Sequence, residues 1–315
     1  MKNLNKKPVL ITGAAGFIGS NLLRRLVTKY SNINIIIKSN SDTWRINDLS
    51  NSINVYNCDL SDYSLVKKII DEIKPKIIFH LAAYGAYHYQ NNLDLIRKIN
   101  LDSTINLLNA CLKYDFRIFI NTGSNSEYGF KRSPMKESDV LEPNSYYSVF
   151  KSASTHFCMY ESKSKKRPIV TLRPFHVYGP FEERTRFIPA LIDHLKQGKC
   201  PPLVSPEIKR DMIFIDDVVD FYLTVVNELN GYGNIYNVGS GIERSIKDIV
   251  EIAIKITGAD VTPVFGTMQN RDWDNINWKA DMSFTRKNFN WTPKIDLNTG
   301  LKRTITWQNS FNQLS

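Results

Sequence analysis

Cysteine is scarce in this chain: four residues among 315, at positions 58, 111, 158 and 200. No two form a C-x-x-C pair and no His/Cys cluster accompanies them, so neither a disulfide framework nor a zinc site is suggested, and no metal is expected. Free thiols suit a reducing compartment. Long apolar runs are also missing. Nothing approaches the roughly 18–20 residues needed to span a bilayer. The opening MKNLNKKPVLITG has no apolar stretch of signal-peptide length. The expectation is a soluble, cytoplasmic protein with no membrane partner.

Acidic residues are outnumbered, 31 Asp and Glu against 41 Lys and Arg, for a formal net charge of +10. That excess admits anionic partners: nucleic acid, an acidic membrane surface or phosphorylated small molecules. The basic residues are scattered, however. The dense run KSKKR (163–167) falls between an apparent helix and an apparent strand, where a solvated loop accounts for it. No RNA- or DNA-binding motif is present, so nucleic acid is not an expected partner. Internal repeats and low-complexity tracts are absent as well.

What the chain does contain is an alternation of strand-like and helix-like segments through its first half. PVLIT (8–12), INIII (33–37), KIIFHLAA (76–83), RIFINTGS (117–124) and PIVTLRP (168–174) read as strands, and INVYNCDL (53–60) contains another, third in order. Between them, stripes such as Leu22, Leu23, Leu26, Val27 and Leu65, Val66, Ile69, Ile70, Ile73 have helical spacing. Strands separated by helices predict βαβ units, hence an α/β fold: a Rossmann-type doubly wound parallel sheet. After residue 174 the pattern loosens into a smaller, mixed lobe. The expected division is 1–175 plus about 211–238 for the sheet domain, and about 176–210 with 239–315 for the smaller lobe.

TGAAGFIG follows the first strand and opens the first helix. Gly13, Gly16 and Gly19 let the backbone approach a pyrophosphate, while the helix N-terminus offers unpaired N–H groups. Thr12, Gly13, Gly16, Phe17, Ile18 and Gly19 are therefore cofactor-binding candidates. At the tip of the second strand an acid would bind the ribose diol of NAD. Here the tip reads Ile37-Lys38-Ser39-Asn40, with Arg45 soon after. Lys38, Ser39 and Arg45 suit a 2′-phosphate, which favours NADP(H), with NAD(H) possible if Asp42 serves the diol. Asp59 and Leu60, after the third strand, would meet the adenine edge; an Asx-turn is the other role open to Asp59. In NSYYSVFK (144–151), Tyr147 and Lys151 fall one helical turn apart on one face and Tyr146 points elsewhere. Alone, that pair is weak.

The ordered run TGAAGFIG, CDL, FHLAA, NTGSNSEYG, YYSVFK, LRPFHVYGP, RDMIFIDDVV and NVGSG resembles the extended short-chain dehydrogenase/reductases of the nucleotide-sugar type, and covers nearly the whole chain. The resemblance implies an oxidoreductase with a Rossmann domain and a small sugar-nucleotide domain. It implies Tyr147 as acid/base, Lys151 as its partner and Ser124 as the hydroxyl on the carbonyl oxygen. It sets Leu81, Ala82 and Ala83 along the cofactor, and Pro174, His176 and Val177 beside the nicotinamide. His176 stands where the family has Asn. Ser126 and His176 fall at substrate positions. Arg210 and Arg271 match arginines on a substrate diphosphate, and Phe187, Ile188 and Pro189 a segment shaping the base pocket. A homodimer through the helices at 92–113 and 147–162 is implied too, though Ile96, Ile99, Leu107 and Leu108 fit sheet packing equally.

Departures narrow the reaction. The family's dehydratases and decarboxylases carry a carboxylate where this chain has Ser126, and Glu127, one residue off, should face away. The 3,5-epimerase/reductases have a cysteine there and a histidine at Arg186. What remains is a reductase of a nucleotide-linked 4-keto sugar for surface polysaccharide, of the CDP-abequose synthase kind, or a nucleotide-sugar 4-epimerase.

Overall fold

The computed structural model describes residues 4–87, 89–131, 134–228, 231–268 and 277–312. By contact density these divide into two compact units: 1–129, 140–173 and 222–236 in the first, and 130–139, 174–221 and 237–315 in the second.

The first unit is built on β1 (Val9–Thr12), β2 (Ile33–Ile37), β3 (Asn54–Asn57), β4 (Ile77–His80), β5 (Ile118–Thr122) and β6 (Ile169–Pro174). Adjacent strands from β3 through β6 pair in parallel. Every residue of β1, β4, β5 and β6 is buried, as expected of a sheet covered on both faces. The crossovers are α1 (Phe17–Val27), α2 (Tyr63–Ile73), a run made of α3 (Leu93–Arg97), a π turn (Lys98–Asp102) and α4 (Ser103–Cys111), and α5 (Tyr146–Lys165). Asp62 starts α2 by accepting the Leu65 N–H at 3.1 Å. Lys74 ends it in a left-handed conformation (φ 46°), just before Pro75. On one face, Val66, Ile70, Leu107 and Leu108 pack over Leu10, Ile78 and Phe119. Leu107 and Leu108, which fitted either a dimer face or sheet packing, are thus core residues.

The chain continues with β7 (His176–Tyr178), α6 (Phe187–Lys196), β8 (Lys209–Phe214), α7 (Ile215–Glu228), β9 (Ile235–Val238), β10 (Glu243–Ser245), α8 (Ile246–Thr257), α9 (Ser283–Asn288) and α10 (Leu297–Asn312). β9 completes a seven-stranded sheet of order β3-β2-β1-β4-β5-β6-β9, while β10-β8-β7 forms a separate three-stranded sheet. In the second unit the buried Asp211 carboxylate accepts the N–H groups of Ser240, Gly241 and Ala280 at 2.7–3.0 Å, tying β8 to the segments behind it. No helix among the described residues is long and apolar enough to cross a membrane.

Candidate active site

The first site element is the turn from β1 into α1. Gly13 has φ +71°, and a Cβ there would stand 2.6 Å from the Ala82 nitrogen and the Leu81 carbonyl carbon. A Cβ on Gly19 would fall 2.1 Å from the Gly13 oxygen. Only backbone fits at these points, so the turn lies directly against the Leu81–Ala82 stretch that follows β4. Gly16 caps α1 with no side chain bonded to the helix end. The first N–H groups of an eleven-residue helix are thus left without a side-chain cap beside a close-packed glycine turn. These residues fit the pyrophosphate of a dinucleotide. Phe17 and Ile18 are half-buried in the first turn of α1, and Thr12 is fully buried.

Thr12 is fixed by a residue that sequence reasoning passed over. His80, at the end of β4, bonds the Thr12 hydroxyl through Nδ1 at 2.7 Å and the Thr104 hydroxyl through Nε2 at 2.9 Å. Thr104 already donates to the Asn100 carbonyl at 3.0 Å. It must therefore accept from Nε2–H, which leaves Nδ1 to accept from Thr12. Burial, reinforced by the Lys151 charge, pushes His80 down to about 3, so it is neutral. Asn100, also missed, sits in the π turn and bonds the Tyr84 carbonyl at 2.6 Å and the Ile96 carbonyl at 2.8 Å.

The tips of β2 and β3 bring two predicted residues together. Lys38 Nζ lies 2.9 Å from an Asp59 carboxylate oxygen, and the Ser61 N–H donates to Asp59 at 2.9 Å, an Asx-type turn. Partial burial acts to raise the Asp59 carboxyl, but Lys38 and Ser61 outweigh it and hold it below its usual range. Ser39 is exposed at the same tip. Arg45 was expected to meet a 2′-phosphate. It is buried, with its guanidinium over the Trp44 ring at 4.4 Å. Leu60 is buried and accepts the Asn106 amide at 3.0 Å on its carbonyl; Ala83 is exposed past β4.

Ser124 lies just beyond β5, where open α/β sheets bind ligands. It caps a short 3-10 turn (Asn125–Tyr128), accepting the Ser126 N–H at 3.1 Å. Ser145 caps α5 in a box with Ser148. Tyr147 and Lys151 follow one turn apart. Tyr147 is half-buried, whereas Tyr146 is 61% exposed. Lys151 is buried and its ammonium donates to the Thr122 carbonyl at the end of β5. Burial drives this ammonium below its ordinary range, with Glu127 acting in the opposite sense. Glu127 faces inward, fully buried and paired with Arg173; Ser126 is half-buried.

In the second unit, Pro174, His176 and Val177 lie on the β6–β7 stretch, and His176 pairs with Met212 two residues from Arg210. Burial first, then the Arg210 and Arg186 charges, keep His176 well below the imidazole range, hence neutral. Its ring meets Trp278 edge-on at 5.8 Å. Phe187, Ile188 and Pro189 open α6; Ile188 and Pro189 are buried. Arg271 lies outside the described residues.

A family model described as the NAD dependent epimerase/dehydratase family matches residues 9–239, well over half of the chain. The chain is 30% identical to CDP-abequose synthase of Salmonella typhimurium over 95% of its own length and 98% of that protein's. It is also 30% identical to a dTDP-D-glucose 4,6-dehydratase of Dictyostelium discoideum, covering 79% of this chain and 62% of that protein; other curated relatives are longer still, and the chain spans about half of them. Among solved structures, UDP-glucuronic acid 4-epimerase from Bacillus cereus, in complex with UDP-glucuronic acid and NAD, superposes with a TM-score of 0.86 at 26% identity over 96% of this chain and 99% of that one. With its glycine turn and parallel sheet, the chain belongs to the NAD-dependent epimerase/dehydratase family, enzymes of the extended short-chain dehydrogenase/reductase superfamily.

Proposed function

We propose that the protein reduces a nucleotide-linked 4-keto sugar at C4, as a cytoplasmic step towards activated deoxysugars for surface polysaccharide. The observation that carries this reading is what stands beside Ser124. Position 126 is a serine, and the neighbouring carboxylate, Glu127, is 0% exposed and engaged with Arg173. No carboxylate from this turn is free to remove the sugar proton that a 4,6-dehydratase must take, so ketone and alcohol chemistry is what the turn can serve.

The dinucleotide, held at the glycine turn and by Leu81 to Ala83, would supply the hydride. The chain's own part is the proton. The Tyr147 phenol protonates the oxygen that carries the growing charge. Lys151, a buried ammonium one turn along α5, favours the phenolate that remains and would also hold the cofactor ribose. The Ser124 hydroxyl bonds the carbonyl oxygen as charge builds on it. Arg210 and Arg271 are the proposed ligands of the substrate diphosphate, with His176 and Ser126 as further substrate contacts. Lys38 and Ser39 favour NADPH. Exposed Leu93, Leu95, Val149 and Tyr160 on α3 and α5 suit a homodimer contact.

A second reading, an NAD-dependent nucleotide-sugar 4-epimerase, draws on one observation: Lys38 is already paired with Asp59, which weakens the case for a 2′-phosphate. Mixing the protein with NADPH and 4-keto nucleotide sugars should bleach the NADPH absorbance. No bleaching with any of them, together with interconversion of UDP-sugars by co-purified NAD, would establish the epimerase instead.

A further inference from the structure

The Ser124 turn is closed from behind by a carboxylate that reaches no solvent. Glu127 Oε1 accepts the Ser124 N–H at 2.8 Å and the Thr155 hydroxyl at 3.1 Å. Its Oε2 accepts from Arg173 Nε at 2.9 Å and lies 2.9 Å from Arg173 Nη2. Arg173, 1% exposed, also sits over the Tyr128 ring at 4.8 Å. Gly123 makes the room, since a Cβ there would stand 2.5 Å from Glu127 Oε1.

A buried ion pair is a poor stabilising device, because desolvation cancels most of its attraction, and apolar residues of like volume often do as well. Its use has to be sought in what surrounds it. A second buried cation, Lys151, shares this interior. The titratable groups that act on Lys151 or feel its charge are Glu127 from the 3-10 turn, Cys158 from α5 and His80 from β4, with Arg173 of β6 beyond Glu127. His80 is neutral, and burial holds the Cys158 thiol up at about 12. Glu127 is therefore the one anion in this group, set against two cations.

We propose that Glu127 is a positioning residue for the Ser124–Tyr147–Lys151 group: its buried carboxylate fixes the Ser124 backbone and supplies the counter-charge that keeps the Lys151 ammonium charged in a dry site. Arg173 limits that effect and anchors the carboxylate. The inference rests on the reading of these three residues as the reacting group. Its physical content can nonetheless be measured without any sugar or cofactor. Burial works against the charged lysine, and the Glu127 charge works for it.

The test is a pH titration of the Lys151 side chain by NMR in the full chain with labelled lysine, the resonance assigned through Lys151→Arg. Glu127→Gln should lower the Lys151 midpoint by about one pH unit or more, the size expected on losing an opposite charge nearby. Arg173→Gln should raise it. A merely structural pair would cost melting temperature in both variants and move neither midpoint. An unmoved midpoint in folded Glu127→Gln overturns the proposal. Should that variant not fold, Arg173→Gln carries the test, and absence of a rise overturns it. In turnover with NADPH and a 4-keto nucleotide sugar, the basic limb of Glu127→Gln should move to lower pH by the same amount. If the wild type turns over no such sugar, the reaction assigned above falls, while the counter-charge is still decided by the titration.

Discussion

Glu182 places a carboxyl where none is comfortable. It is 7% exposed, and its Oε2 has no hydrogen-bond partner among the described residues. Arg186 approaches Oε1 only to 3.9 Å and is itself 42% exposed, too distant for a hydrogen bond and well screened. Burial therefore outweighs that charge and pushes Glu182 up to about 8. The sign follows from proton counts: between the ordinary carboxylate range and about pH 8 the folded chain holds a proton that the unfolded chain has released. This contribution to stability is full at low pH and is lost as pH rises through about 8, a loss of roughly 3 kcal/mol by pH 7. Glu182→Gln should flatten the melting temperature against pH over that window and leave the variant more stable than wild type above it. A variant profile that tracks the wild type would refute this. His80 acts in the opposite direction. Its folded value is depressed to about 3, so stability from the neutral imidazole is present above about pH 6.5 and is lost as pH falls towards 3.

At the scale of elements, α5 separates its two tyrosines by a rotation of one residue. Tyr146 emerges at 61% exposure and Tyr147 stays half-buried over the turn that holds Lys151. Tyr147→Phe should lower turnover about 100- to 10,000-fold, the usual worth of a positioned acid, with NADPH affinity by fluorescence titration little changed. Tyr146→Phe should leave both as they are. Equal losses in the two variants would remove the acid/base role from Tyr147. The one-turn spacing of Tyr147 and Lys151, with Tyr146 turned elsewhere, was legible in the sequence from helical period, while their pairing as acid and ammonium came only with the family resemblance. The π turn at Lys98–Asp102 was not legible, since it is set by where the Asn100 amide finds its carbonyls, and a 3.6-residue stripe looks the same with or without it. His80 and Arg173 escaped for a related reason, and Glu127 was read only as turned away from the site. Each draws its meaning from partners distant along the chain.

For the molecule as a whole, the parallel sheet could be read because each βα unit is local in sequence. The second unit could not be drawn in detail, being assembled from 130–139, 174–221 and 237–315, whose contacts are non-local and leave little periodic trace. The same global scale offers the cleanest measure of the cofactor. A ligand that binds only the folded chain stabilises it by about 2.7 kcal/mol at a hundredfold excess over its dissociation constant. In a chain of this size that amounts to roughly 5 °C in melting temperature. If the cation at the β2 tip selects the 2′-phosphate, NADPH should raise the melting temperature more than NADH at equal concentration. Lys38→Ala should abolish the difference by lowering the NADPH effect, because phosphate affinity is what the ammonium adds. The Lys38–Asp59 pair supplies the alternative outcome. If Asp59 keeps the lysine neutralised, NADH will stabilise at least as well, Lys38→Ala will change nothing, and the dinucleotide site will be one for NAD.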